Sequence, residues 1–159
     1  MYVIGVAVCN FSLITFTPNG ELHADKSNYI HGFAVIGDFM KENLLLKHSE
    51  KLAVDIEVLC QSLNGISGIS NIVFQIRKSS SSVFANVSEA QYPQSLPDML
   101  AKLKIARKEC METESWLKLL LSANHITEQT YKKHRNLCGR IRKIITSSCI
   151  TIETKLNKT

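Results

Sequence analysis

The side chains in this 159-residue chain best equipped for chemistry are the carboxylates Glu109, Glu112 and Glu114, three acids within six positions. A hydrolase or transferase would need such acids paired with a nucleophile and a base inside a cleft. No Ser or Cys nucleophile stands in a motif with His. The five histidines do not form the Glu-x-x-His pairs through which helical bundles hold two metal ions. His125 falls near a turn and His134 on a highly charged stretch, which predicts solvated or capping roles for both. The five cysteines (Cys9, Cys60, Cys110, Cys138, Cys149) form no C-x-x-C pair. The chain is therefore read as no enzyme, with no catalytic residue, no metal site and no cofactor.

Cations are the second resource. The formal charge of +5 hides an asymmetry, because residues 1–39 hold Lys26 against Glu21, Asp25 and Asp38, a net −2, which leaves +7 from Met40 to Thr159. A basic domain favours polyanionic or acidic partners. Lys102, Lys104, Arg107, Lys108 and Lys118 occupy one segment, and Lys132, Lys133, Arg135, Arg140, Arg142 and Lys143 the next. No acid lies between Glu128 and Glu153. A run of that length without a carboxylate points to phosphate contacts, and Lys102, Arg107, Lys132, Lys133, Arg135, Arg140, Arg142 and Lys143 are the candidate nucleic-acid-binding set. Aromatic stacking platforms are missing from these faces, which argues against sequence-specific reading of single strands.

These residues need elements to hold them. At 45% apolar content the chain can build a single packed core. From Met40 onward the apolar spacing is helical. The first helix is predicted from about Lys41 to Leu63, with Leu45, Leu52, Ile56, Leu59 and Leu63 inward, and Asn64-Gly65 ends it. The second fits Ile66–Glu89, with Ile69, Ile72, Val73, Ile76, Val83, Phe84 and Val87 as its stripe. Its middle, Ser79 to Ser82, is a poor helix former. Helix is still predicted there, because the stripe keeps its phase across the serines and small side chains let neighbouring helices approach.

Pro93 breaks the pattern, and Ser95 with Pro97 and Asp98 opens a third helix that runs to about Ser122. Its inward positions are Leu100, Leu103, Ala106, Cys110, Thr113, Leu117, Leu120 and Leu121. Asn124 is the expected left-handed exit, and Thr127 caps a fourth helix reaching about Leu156. That helix turns Tyr131, Leu137, Cys138, Ile141, Ile144, Ile145, Ile152 and Leu156 inward. Short connections make an all-α, antiparallel up-down-up-down four-helix bundle the economical arrangement. Polar residues interrupt the stripes at Arg77, Asn86, Glu89 and Glu112, which predicts a polar layer that fixes register between helices or protomers. Replacing Glu112 by alanine would then cost about 3–5 kcal/mol, by leaving a buried partner unpaired.

The segment 1–39 differs. Tyr2–Phe16 is apolar and uncharged, yet short for a membrane span and without the basic flank of a secretory signal. Alternation before Pro18-Asn19-Gly20 allows a β-hairpin arm. The other reading is that Met40 is the natural start and residues 1–39 are a spurious upstream extension, since the charge changes sign there. Cysteines placed as small apolar fillers, without a disulfide framework, indicate a reducing, cytoplasmic setting.

Two strings carry a family resemblance. One is Arg77, the serines Ser79–Ser82, Ala85-Asn86 and Glu89-Ala90; the other is Lys108-Glu109, Glu112-Thr113-Glu114, Ser115-Trp116 and Leu117. Both resemble motifs of the four-helix-bundle proteins encoded within intervening sequences of 23S rRNA genes, and the similarity spans about Met40 to Leu156. Ser115 stands where an aromatic is usual, and Ser88 where a basic residue is frequent. The resemblance implies a homopentamer, with rRNA binding as the usual inference. The same fold serves the accessory proteins of diversity-generating retroelements, so a protein-interaction scaffold for a reverse transcriptase is the alternative function.

Overall fold

The computed structural model describes residues 15–16, 22–23 and 43–158. They fall in two units that divide at Asn43 and Leu44. In the first, strands β1 (Thr15–Phe16) and β2 (Leu22–His23) pair antiparallel, with Thr15 opposite His23 and Phe16 opposite Leu22. They flank Pro18-Asn19-Gly20 in sequence, the position at which a hairpin turn is expected. The remaining expectations for residues 1–39, including a natural start at Met40, lie outside the described residues.

The second unit is four helices: α1 (Leu44–Ser62), α2 (Ser70–Glu89), α3 (Leu96–Ser122) and α4 (Glu128–Leu156). Each is a long amphipathic stretch whose buried positions recur at three and four. Ser95 Oγ accepts the backbone N–H of Asp98, and Asp98 in turn accepts the N–H of Gln94, so both partners cap the start of α3. Thr127 Oγ1 accepts the N–H of Thr130 at the start of α4. Asn124, at φ 58°, lets the chain leave α3 while the His125 N–H reaches back to the Leu120 carbonyl at 2.9 Å.

One boundary differs from the sequence expectation. Helix α2 begins at Ser70 rather than Ile66, because Gly65 and Gly68 both take left-handed φ, 87° and 85°. The connection therefore spends more residues turning, and Ile69 is buried just ahead of the helix.

Each helix packs against the next, and α4 closes back on α1. The touching positions run in opposite senses along each successive pair. Glu57 meets Arg77 while Cys60 meets Val73; Ser79 meets Thr113 while Glu89 meets Lys102. Lys104 meets Glu153 while Lys118 covers Tyr131. The core is aliphatic and fully enclosed at Leu52, Ile56, Ile76, Val83, Val87, Leu103, Leu117, Leu120, Ile141 and Ile145. Cys60, Cys110, Cys138 and Cys149 are buried free thiols filling gaps between the larger side chains.

The serine tract is helical throughout. Ser79, Ser80 and Ser81 each donate their hydroxyl to the carbonyl three residues back, at 3.3, 3.1 and 2.9 Å. That bond satisfies the hydroxyl that would otherwise compete for the backbone. Ser79 and Ser80 are buried, and Thr113 Oγ1 of α3 donates to Ser79 Oγ at 2.9 Å. The small side chain at Ser79 is what allows α3 to come this close. Among the described residues, no helix is long and apolar enough to cross a membrane.

Candidate nucleic-acid interface

Helix α4 carries its cations on faces set by a buried stripe of His134, Leu137, Cys138, Ile141, Ile145, Cys149 and Ile152. The stretch of α4 between Glu128 and Glu153, which holds no acid, is compensated in part from the neighbouring helices. Asp55 of α1 sits 3.6 Å from Lys133 and 3.1 Å from Lys51. Glu114 of α3 takes Arg142 Nη2 at 2.7 Å and Arg135 Nε at 3.4 Å, one carboxylate between two guanidinium groups. Lys132 pairs with Glu128 at 3.1 Å, Lys104 with Glu153 at 2.7 Å, and Lys102 with Glu89. The hydrogen bond to Glu89, with its charge, holds the Lys102 pKa above the ordinary lysine value.

Of the eight candidate cations, five therefore have an acid partner within the chain: Lys102, Lys132, Lys133, Arg135 and Arg142. Among the described residues, Arg107, Arg140 and Lys143 make no ion pair. Arg107 is half-buried and lies near Cys149. Arg140 and Lys143 are exposed, one helical turn apart. Across the α1–α4 seam stands His48, whose pKa is pushed down by burial and by the charges of Arg140 and Lys47. Lys47 is a contributor that the sequence reading left out. Its signal was its outward place on a helix that must border the fourth.

The four residues assigned to a polar layer do not meet. Arg77 Nε donates to Glu57 Oε2 at 2.7 Å across α1 and α2, with both side chains more than two-fifths exposed. Asn86 donates to the Ser82 carbonyl within its own helix, and Glu89 is held by Lys102 at the surface. Glu112 accepts the Trp116 indole N–H one turn along α3, at 3.2 Å. The buried polar contact between helices is Ser79 with Thr113 instead. The acids drawn between helices are Asp55 and Glu114, whose side chains are 16% and 19% exposed. Stripe interruptions mark where polar residues stand; which of them is enclosed depends on the rotation of the facing helix.

His134 is the second correction. It is 3% exposed rather than solvated, and its Nδ1 has no hydrogen-bond partner. Burial pushes its pKa below the ordinary 6.5, helped by Lys133 and opposed by Asp55. A His kept neutral in the fold is protonated first in the unfolded chain as pH falls through about 6.5, so stability drops from there until the folded-state pKa is reached. We expect His134→Leu to flatten the fall in unfolding free energy between about pH 7 and pH 5, read from urea titrations at each pH. His48 supplies a residual slope in both chains, and parallel curves would overturn the assignment.

The groove between α1 and α2, lined by Ala53, Val54, Val58, Arg77, Ser80 and Ser81, is open and mostly apolar. Among the described residues, no three His, Cys, Asp or Glu side chains are grouped to hold a metal ion. The hydrogen bond between Cys110 and Cys138, with burial, drives the Cys138 thiol pKa far up, which makes it unreactive as a nucleophile.

A family model described as 23S rRNA-intervening sequence protein matches residues 41–147. A crystal structure from Bacteroides thetaiotaomicron, of a protein with unknown function from the S23 ribosomal protein family, is similar at a TM-score of 0.64 and 35% identity. That match covers 66% of this chain and 97% of the other. No curated protein matches.

Proposed function

The chain belongs to the 23S rRNA-intervening sequence protein family, and from that premise we propose that it is a non-catalytic, basic helical-bundle protein that binds rRNA, or a ribonucleoprotein, through phosphate contacts. The observation that supports this reading is the surplus of cations. The net +7 from Met40 onward survives after every carboxylate is counted, and exposed arginine and lysine side chains at Arg140, Lys143 and Lys47 have no acid of their own. Phosphate oxygens suit them, because each contact releases a counterion condensed on the nucleic acid.

The working form is a cytoplasmic homopentamer. Five bundles at +7 each would gather about +35 around one axis, raising the local attraction for a polyanion without any new contact. Binding of this kind reads shape and charge and carries little base specificity.

The test is a titration of a fluorescent RNA stem-loop between about 50 and 200 mM salt. Affinity is expected to fall steeply, with a log–log slope of about −0.7 to −0.9 per phosphate contacted. A flat dependence, or no retention at the lowest salt, overturns the reading. A partner captured from cell extract that persists after nuclease treatment would favour the protein scaffold instead, a reverse transcriptase among the candidates.

A further inference from the structure

Resting on the phosphate-binding reading above, we propose that the phosphate-binding site is the ridge formed by Lys47 of α1 with Arg140 and Lys143 of α4, and that the more numerous cations around Glu114 and Asp55 hold the bundle together instead.

The division follows from the ion pairs. A cation already matched to a carboxylate contributes little to counterion release, because moving to a phosphate leaves a carboxylate that must recruit a cation of its own. Lys132, Lys133, Arg135 and Arg142 are in that position, facing Glu128, Asp55 and Glu114. Lys47, Arg140 and Lys143 are exposed, and among the described residues none of them makes an ion pair. They also stand at one level of the bundle. Helices α1 and α4 pack with Asp55 3.6 Å from Lys133. Seven residues back along α1 and seven on along α4 bring His48 level with Arg140, so Lys47 and Arg140 flank the same point of the seam and Lys143 follows Arg140 by one turn on the exposed face. Glu50, one turn beyond Lys47 on α1, is the nearby acid in sequence, so the ridge keeps a surplus of positive charge.

Three cations along two adjacent helices present donors to successive phosphates of a backbone. The lysines offer mobile point charges, and Arg140 adds a planar fork that grips one phosphate through two oxygens. No aromatic residue stands among them, so bases are not read. Structured RNA fits this surface better than an acidic polypeptide, whose carboxylates lack the regular close spacing of a nucleic-acid backbone.

Two variants with the same loss of charge separate the ridge from the ion-paired set. One is Lys47→Gln, Arg140→Gln, Lys143→Gln; the other is Lys132→Gln, Lys133→Gln, Arg135→Gln. Both are titrated with the RNA stem-loop and with poly-glutamate, and both are checked for an unchanged helical signal. The ridge variant is expected to lower the salt slope by about 2–3 and the affinity at about 100 mM salt at least tenfold. The second variant should change the slope by less than about 1. Addition of RNA should also move the His48 imidazole resonances. An equal or larger loss in the second variant overturns the ridge while leaving RNA binding itself intact. Poly-glutamate binding as tight as RNA, with the same residue dependence, makes the ridge a site for acidic protein. A native chain that does not bind the stem-loop at all overturns both this proposal and the reading beneath it.

Discussion

Replacing Glu114 by alanine is expected to destabilise the bundle by about 1.5–3 kcal/mol, whereas Glu112→Ala, two positions away, should cost about 0.5–1.5 kcal/mol. Glu114 is largely enclosed and forms ion pairs with both Arg135 and Arg142. Its removal leaves Arg142, whose Nε is already buried without a partner, with no compensating charge. Glu112 offers only an acceptor to the Trp116 indole, on its own helix, and the indole can turn to water when that acceptor is lost. Urea unfolding of the two variants decides the matter, provided the denaturant slope is unchanged. Equal midpoints would mean that the α3–α4 ion pairs contribute nothing to stability, as is common for fully exposed pairs.

The same comparison shows where the sequence is informative. Helix ends were legible because caps are local: Ser95, Asn124 and Thr127 act within four residues of themselves, and each does so. The start of α2 was misplaced because the left-handed φ at Gly68 leaves no apolar signal. Core positions were legible from spacing, and His134 was legible too in principle, standing four residues before Cys138 and seven before Ile141 on the buried stripe. Its polarity argued against burial, and packing overrode that argument.

The pairing of cations was not legible. Arg135 and Arg142 are seven apart and therefore share a face, but the carboxylate that joins them comes from α3, and its register depends on how two helices rotate against each other. A count along one helix sees only uncompensated charge. Four helices brought together supply Asp55 and Glu114 from outside α4. Among the described residues, the exposed cations left without an ion pair include Lys47 of α1 with Arg140 and Lys143 of α4, besides Lys78 of α2 and Lys108 of α3. The family resemblance identified the bundle from two motif strings. It could not distribute the charges, because the carboxylates that neutralise much of α4 come from α1 and α3, at a register that packing sets.

The serine tract is where close packing and polarity meet, and Ser79→Leu is expected to cost about 2–4 kcal/mol. Two effects add there. The larger side chain must be fitted where α3 already lies in hydrogen-bond contact, an overpacking penalty of about 1–3 kcal/mol. Thr113 Oγ1 also loses its inter-helix partner and keeps only the Glu109 carbonyl of its own helix, so part of the cost of a lost buried hydrogen bond follows. Ser81→Leu, two residues on in the same tract, is the control. Ser81 is exposed and bonds only the Lys78 carbonyl of its own helix, so its replacement should fall within about 0.5 kcal/mol of the native chain. Leucine raises helix propensity equally at both sites, which removes local preference from the comparison. A large cost at Ser79 with none at Ser81 assigns the tract to helix–helix approach. Equal effects would show that the serines set the local helix alone, and that the α2–α3 contact tolerates a larger residue.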